Sequence, residues 1–159
     1  LPSGYNNNVQ VFQAPGYVVL LVEMIHDVRV VPIDGRPHLP NQVRQWLGDS
    51  RGHWEGDTLV VETTNFTDKT GSFSTSFVSW GSADGLHLRE RFTRVDAETV
   101  TYEFTVEDPA TFTRPFTGRF PLNRTDKPLF EYACHEGNHG MANMLSGARA
   151  EERATDSNP

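Results

Sequence analysis

At 159 residues the chain is long enough for one domain with a sizeable core. Hydrophobic residues at 36%, with 11% aromatic, are the share of a β-rich globular protein and too many for a disordered one. The formal net charge of -7 argues against nucleic acid and anionic membrane as partners, since both need a basic surface. Lys69 and Lys127 are the only lysines, so the basic residues are mostly arginines, which suit fixed planar contacts. The single cysteine, Cys134, excludes an intrachain disulfide. No signal peptide or membrane-spanning run is legible, and a start at Leu1 without methionine reads as a mature or trimmed product.

In chain order, Leu1 to Asn8 is polar and turn-rich, and Val9 to Gln13 reads as a short strand ended by Ala14-Pro15-Gly16. Gly16 to Ile33 is the longest apolar run, rich in Val and Ile and closed by Pro32 and Asp34-Gly35. Too short and too charged to span a bilayer, it reads as a long, mostly buried strand or as two strands joined by a bend. Between Asp34 and Gly56 the pattern breaks, with two turns of helix expected over Pro40 to Leu47, stopped by Gly48. Asp57 to Phe66 alternates and is β-branched, a strand. Thr67 to Gly85 is a long loop that holds Phe73, Phe77 and Trp80, a pattern that suits a lid as well as plain slack.

Leu86 to Val95, Thr99 to Glu107 and Phe112 to Leu122 are three alternating strands separated by short turns, the pattern of an antiparallel meander. Leu129 to Glu136 adds a further strand. A helix follows from about Asn138, with Met141, Met144, Leu145 and Ala148 on one face. Residues 1–153 are thus expected to form one domain and 154–159 a disordered tail. Mostly sequential strands with one terminal helix predict a mainly β fold, an antiparallel meander closed into a barrel. A two-sheet sandwich is the alternative.

Strand parity singles out polar residues on apolar faces, because successive side chains point to opposite sides. His26 shares a face with Val18, Leu20, Val22, Met24, Val28 and Val30, while Asp27 and Arg29 fall on the other face with Glu23. Glu90 lies among Leu86, Leu88 and Phe92, Arg114 among Phe112, Phe116 and Phe120, and Glu136 beyond Phe130, Tyr132 and Cys134. An unpaired buried charge costs several kcal/mol, so such groups should converge on one another, on a ligand or on water. His26, Glu90, Arg114 and Glu136 in one cavity would be competent for acid–base work, with His26 as base, Arg114 holding an anion and Glu90 or Glu136 as acid. A single structural Arg–Glu pair, or a parity slip at a bulge, would produce the same pattern without a site.

Two motif likenesses are weaker. His135-Glu136-Gly137-Asn138-His139 has the letters of H-E-x-x-H, but Gly137-Asn138 would break the helix that metalloprotease zinc chemistry needs. Gly48-Asp49-Ser50 has the letters of a GDS hydrolase block, and without a βαβ rhythm it reads as a turn.

Gly52-His53-Trp54-Glu55-Gly56-Asp57-Thr58-Leu59-Val60-Val61 resembles the G-x-W-x-G-D-T-L strand opening of lipocalin-like, or calycin, barrels. That likeness implies a closed barrel around a ligand cavity, with a C-terminal helix against its wall. Over residues 5–152, segments such as IHDVRVVPIDGRPHLP and RQWLGDSRGHWEGDTLVVETTNFTDKT resemble an uncharacterised family of bacterial proteins from soil and marine genomes, many of them exported. This second resemblance implies an extracellular or periplasmic bacterial protein and supplies no mechanism.

The function expected is a small-molecule-binding β-barrel with a polar cavity, extending to acid–base catalysis of hydrolase or lyase/isomerase type on the ligand. Tyr102, Phe116, Tyr132 and Trp80 are the expected ligand-binding residues. No cofactor is expected, the alternative being a divalent metal enzyme using His26, His135 and His139. A protein interaction module presenting the Phe73 to Trp80 loop is the other alternative. The partner is a small molecule, without nucleic acid or membrane, and homo-oligomerisation is left open.

Overall fold

A computed structural model describes residues 8–74, 79–133, 136–137 and 139–156. Ten strands and one helix follow in order. Strands β1 (Val9–Ala14), β2 (Tyr17–Val22) and β3 (Val28–Pro32) form an antiparallel meander. Strands β4 (Asp49–Glu55), β5 (Thr58–Thr64), β8 (His87–Arg94), β9 (Thr99–Glu107) and β10 (Phe116–Asn123) form a five-stranded antiparallel sheet in the order β10-β9-β8-β5-β4. Between β5 and β8 the chain makes a small ribbon from β6 (Phe73–Ser74) and β7 (Ser79–Trp80), and helix α1 (Gly140–Asp156) ends the described chain.

Neither sheet closes on itself among the described residues, so the strand pairing is not that of the expected closed barrel. The smaller sheet lies against the larger. Its inward rows, Val11–Leu20–Arg29 and Gln13–Val18–Val31, face the rows Trp54–Leu59–Phe92–Tyr102–Phe120 and Gly52–Val61–Glu90–Phe104–Gly118 of the larger sheet. Val18, Leu20, Val31, Leu59 and Val61 form one buried cluster drawn from both sheets. Gly52 permits this approach. A Cβ there would stand 2.9 Å from a Val31 methyl and 3.0 Å from an Ile33 methyl, too close for either to hold its place. A second cluster, Phe66, Ala83, Leu86, Leu88 and Val106, forms where the excursion after β5 folds back over the larger sheet.

Several sequence expectations change. The run from Gly16 to Ile33 is two strands, broken at Glu23–Asp27 by a short 3-10 turn over Met24–His26. Ile25 and His26 there take positive φ of 60° and 57°, rare for side chains other than glycine and costly for a β-branched one. Residues 40–47 form turns rather than helix, and their backbone pairs with the stretch after β5, through Gln45 N–H to Asn65 O at 2.9 Å and Thr67 N–H to Gln45 O at 3.0 Å. Asp49-Ser50 opens β4 instead of making a turn. The strand expected from Phe112 starts only at Phe116, because Phe112 closes a turn onto Asp108 O at 2.8 Å and Pro115 has no N–H for the ladder. Residues 129–133 are not strand. Helix α1 runs through Ala154 to Asp156, into the stretch expected to be a disordered tail.

Candidate functional site

The four groups expected to converge do not. His26 sits exposed in the turn, Arg114 exposed in the bend before β10, and Glu136 exposed beside Gly137. Only Glu90 points inward. The cause in the first half is the turn at Glu23–Asp27, which resets parity: even-numbered residues face inward in β2, and odd-numbered ones do so in β3. Arg29, expected on the far face, therefore shares a row with Leu20 and reaches Glu90 across the two sheets.

That contact is a two-pronged ion pair, Arg29 Nη1 to Glu90 Oε2 at 2.6 Å and Nη2 to Oε1 at 3.1 Å, with side chains only 16% and 2% exposed. The Tyr102 hydroxyl donates to Glu90 Oε1 at 2.7 Å. Burial pushes the Glu90 carboxyl up, but the Arg29 charge and its hydrogen bonds outweigh this and hold it below the usual range. Burial likewise disfavours the Arg29 cation, and Glu90 more than offsets it. Burial first, then the neighbouring carboxylate, pushes Tyr102 well above its ordinary value, so its hydroxyl stays protonated as a donor. With both its oxygens occupied, Glu90 is an ionised structural partner and not a general acid. This is the structural Arg–Glu pair, made with Arg29 in place of Arg114.

The expected ligand-binding residues scatter. Tyr102 is fully buried, in ring contact with Phe92 at 4.8 Å and Phe120 at 5.1 Å. Trp80 stacks on Phe73 at 5.9 Å, and Phe73 meets Phe116 edge-on at 5.2 Å, so both join one aromatic layer on the inner face of β9–β10. Tyr132 is half-buried outside any strand. Phe77, Cys134 and His135 lie outside the described residues. His26 and His139 are both exposed, and no group of three or more His, Cys, Asp or Glu able to hold a metal occurs among the described residues.

Two features stand apart from these. The first is a cavity of about 540 Å³ at the end of the inter-sheet space where the larger sheet makes its β4–β5 and β8–β9 turns. Val9, Val11, Val18 and Leu20 of the smaller sheet and Trp54, Leu59, Phe92, Val100 and Leu122 of the larger line its apolar part. Gln13, Asp57, Arg94, Asp96, Glu98, Thr99, Asn123 and Arg124 are its polar lining. The cavity exists because β1 and β2 reach past the filled cluster while the facing strands end in turns. Trp54, the tryptophan of the G-x-W segment, stands in its wall.

The second is a histidine–carboxylate pair at the start of β4. Asp49 is buried, with Oδ2 accepting from His38 Nδ1 and from Leu39 N–H, each at 2.9 Å, and Oδ1 accepting from Arg51 Nη1 at 2.6 Å. Burial pushes the Asp49 carboxyl up, and the Leu39 amide, His38 and Arg51 pull it below its usual range. An ionised carboxylate facing Nδ1 accepts a proton from that nitrogen, so in the neutral ring the acceptor is Nε2 of the 30%-exposed His38 side chain. The loop is further pinned by Arg51 Nε to Pro37 O at 2.9 Å and by Asn65 Nδ2 to Leu39 O at 2.9 Å.

Sequence reasoning missed both. Arg94 had the parity of Glu90 and Phe92 and could have been counted with them. The His38–Asp49 pair joins a loop to a strand that lacked β-branched residues, and nothing in the local pattern marks it. Searches against family models, curated proteins and solved structures find no match for this chain, so function is argued from geometry alone.

Proposed function

We propose that this protein binds a small, largely apolar molecule between two β-sheets packed as an open sandwich, at the end where they part. The observation that carries this is the cavity of about 540 Å³, within the range of small-molecule sites at about 300–1,000 Å³, with apolar walls supplied by both sheets and polar groups around them. None of His26, Glu90, Arg114 or Glu136 lines it, so binding, not acid–base chemistry at those residues, is the activity that the geometry supports. Calorimetric titration with neutral apolar probes, naphthalene and decanol, should show saturable binding. Val100→Trp should abolish that binding by filling the space, with the fold retained by circular dichroism. Unchanged binding by Val100→Trp, or none by the native chain, would overturn the reading.

A second reading is favoured by one observation, the carboxylate-oriented His38. A histidine whose Nδ1 proton is held by a buried carboxylate is suited to act as a general base through Nε2. Hydrolysis of an activated aryl ester should then fall to the buffer rate in His38→Ala, and equal rates for the two proteins would remove this reading.

A further inference from the structure

We infer that the ligand of the cavity is an amphiphile with a single carboxylate, its apolar body between the sheets and its head on Arg94; this rests on the binding reading above. Arg94 is at the end of β8, opposite Val100 in the register and on the same face as Glu90 and Phe92. Its side chain is exposed at the mouth of the cavity, where the apolar walls give way to a polar rim. Three other arginines of this sheet, Arg51, Arg89 and Arg91, have carboxylates, and Arg119, which does not line the cavity, has none among the described residues. Arg91 pairs with Glu55 at 2.8 Å, Arg51 with Asp49 at 2.6 Å and, at the cavity rim, Arg124 with Glu98 at 3.4 Å. Arg94 has no ion pair among the described residues. Its Nε donates to the Asp96 carbonyl at 3.1 Å, which anchors the group and leaves the two terminal nitrogens as a fork for a planar acceptor.

The remaining rim charges set the size of the anion. Asp96 accepts the Glu98 amide at 2.7 Å through its carboxylate, and Glu98 is engaged by Arg124, but Asp57 also lines the space near Arg94. Three carboxylates against two guanidinium groups make a poor setting for a dianion such as a phosphate monoester. One carboxylate matches one free arginine. The apolar walls then account for the rest of the molecule, through removal of hydrocarbon from water.

The test compares decanoate with decanol, equal in chain and different in charge, by calorimetry at neutral pH. The native protein should bind decanoate about tenfold tighter, the scale of one charge-assisted contact. Added salt should weaken decanoate and leave decanol unchanged. Arg94→Met should bring decanoate down to the level of decanol, while Arg91→Met, on the opposite face of the same strand and outside the cavity lining, should keep the preference. Equal binding of the two probes by the native protein, or a preference that survives Arg94→Met, would overturn the head-group assignment and leave the apolar site standing. Failure of both probes to bind would overturn the binding reading itself, and this assignment with it.

Discussion

Two arginines belong to the facing sides of the two sheets, and they differ in burial and in partner. Arg29 reaches across from the smaller sheet to an ionised carboxylate that a tyrosine also holds, and both oxygens of that carboxylate accept hydrogen bonds. Arg94, on the larger sheet near its turns, is exposed at the cavity mouth and has no ion-pair partner among the described residues. An inward charge is therefore not by itself the mark of a site. An inward charge whose partner is supplied by the fold is architecture, and one left without a partner beside an open cavity is where a ligand's charge belongs.

The sharpest way to break that contrast is to remove Arg29. Arg29→Met leaves the Glu90 carboxyl buried without its cation and should lower stability by about 3–5 kcal/mol in urea unfolding. Replacing all three members, as Arg29→Met/Glu90→Leu/Tyr102→Phe, should recover most of that loss, since apolar groups of similar volume fill the same space. A triple variant no more stable than Arg29→Met would mean that the ion pair has a role beyond neutralising itself. Tyr102→Phe alone deletes one hydrogen bond to a charged acceptor and should cost about 1.5–3 kcal/mol, with the ring packing kept.

Acid supplies a graded version of the same experiment. The Glu90 carboxyl is held below its ordinary value in the folded protein, so the unfolded chain binds the proton more readily. Its contribution is fully present above the unfolded carboxyl value of about 4.3 and is lost as pH falls through the lower folded value. Asp49, held below its usual range as well, acts in the same direction. Melting temperature should therefore fall on acidification below the ordinary carboxyl range, and fall less in the triple variant than in the native protein. The smallest effect should come from the other arginine. Arg94→Met should change stability by less than about 0.5 kcal/mol, as an exposed side chain without an ion pair does. A large loss would place Arg94 with Arg29 as architecture.

How far the sequence could be read depends on which signals are local. Thr99–Glu107 is found with the bounds that alternation assigns, and of the inward faces expected on this strand and on Leu86–Val95, Leu86, Leu88, Glu90, Tyr102 and Val106 are buried and Phe92, Val100 and Phe104 half-buried. Parity worked there because the strand is unbroken. It failed at His26 and Arg29, because a turn closed by Val22 N–H to Asp27 O at 2.8 Å reverses the count partway through an apolar run that carries no glycine at the break. It failed at Arg114 because two prolines, Pro109 and Pro115, confine the ladder to the residues beyond them. β4 was invisible for a different reason. Its Asp-Ser-Arg-Gly-His-Trp-Glu has no β-branched residue, and Gly52 is there for the closeness of the sheets, a contact with residues some twenty positions earlier. The cavity, drawn from β1, β2 and three separate turns or strand ends, has no sequence signature.

The order of the strands has a kinetic corollary. The smaller sheet is a single unbroken stretch, Val9 to Pro32, in which each strand pairs only with its neighbour in sequence, whereas the larger sheet brings β5 to β8 across a long excursion. All of its backbone ladder can therefore lift away from the larger sheet without breaking one of the latter's pairings. It is therefore expected to open as a cooperative unit of its own. Amide hydrogens of β2 should exchange together and faster than those of β5 and β8. Arg29→Met, by removing one of the ties between the layers, should speed the first group more than the second. That same lifting motion would widen the cavity whose walls the two layers share, and so give an apolar molecule a path to a place between strands.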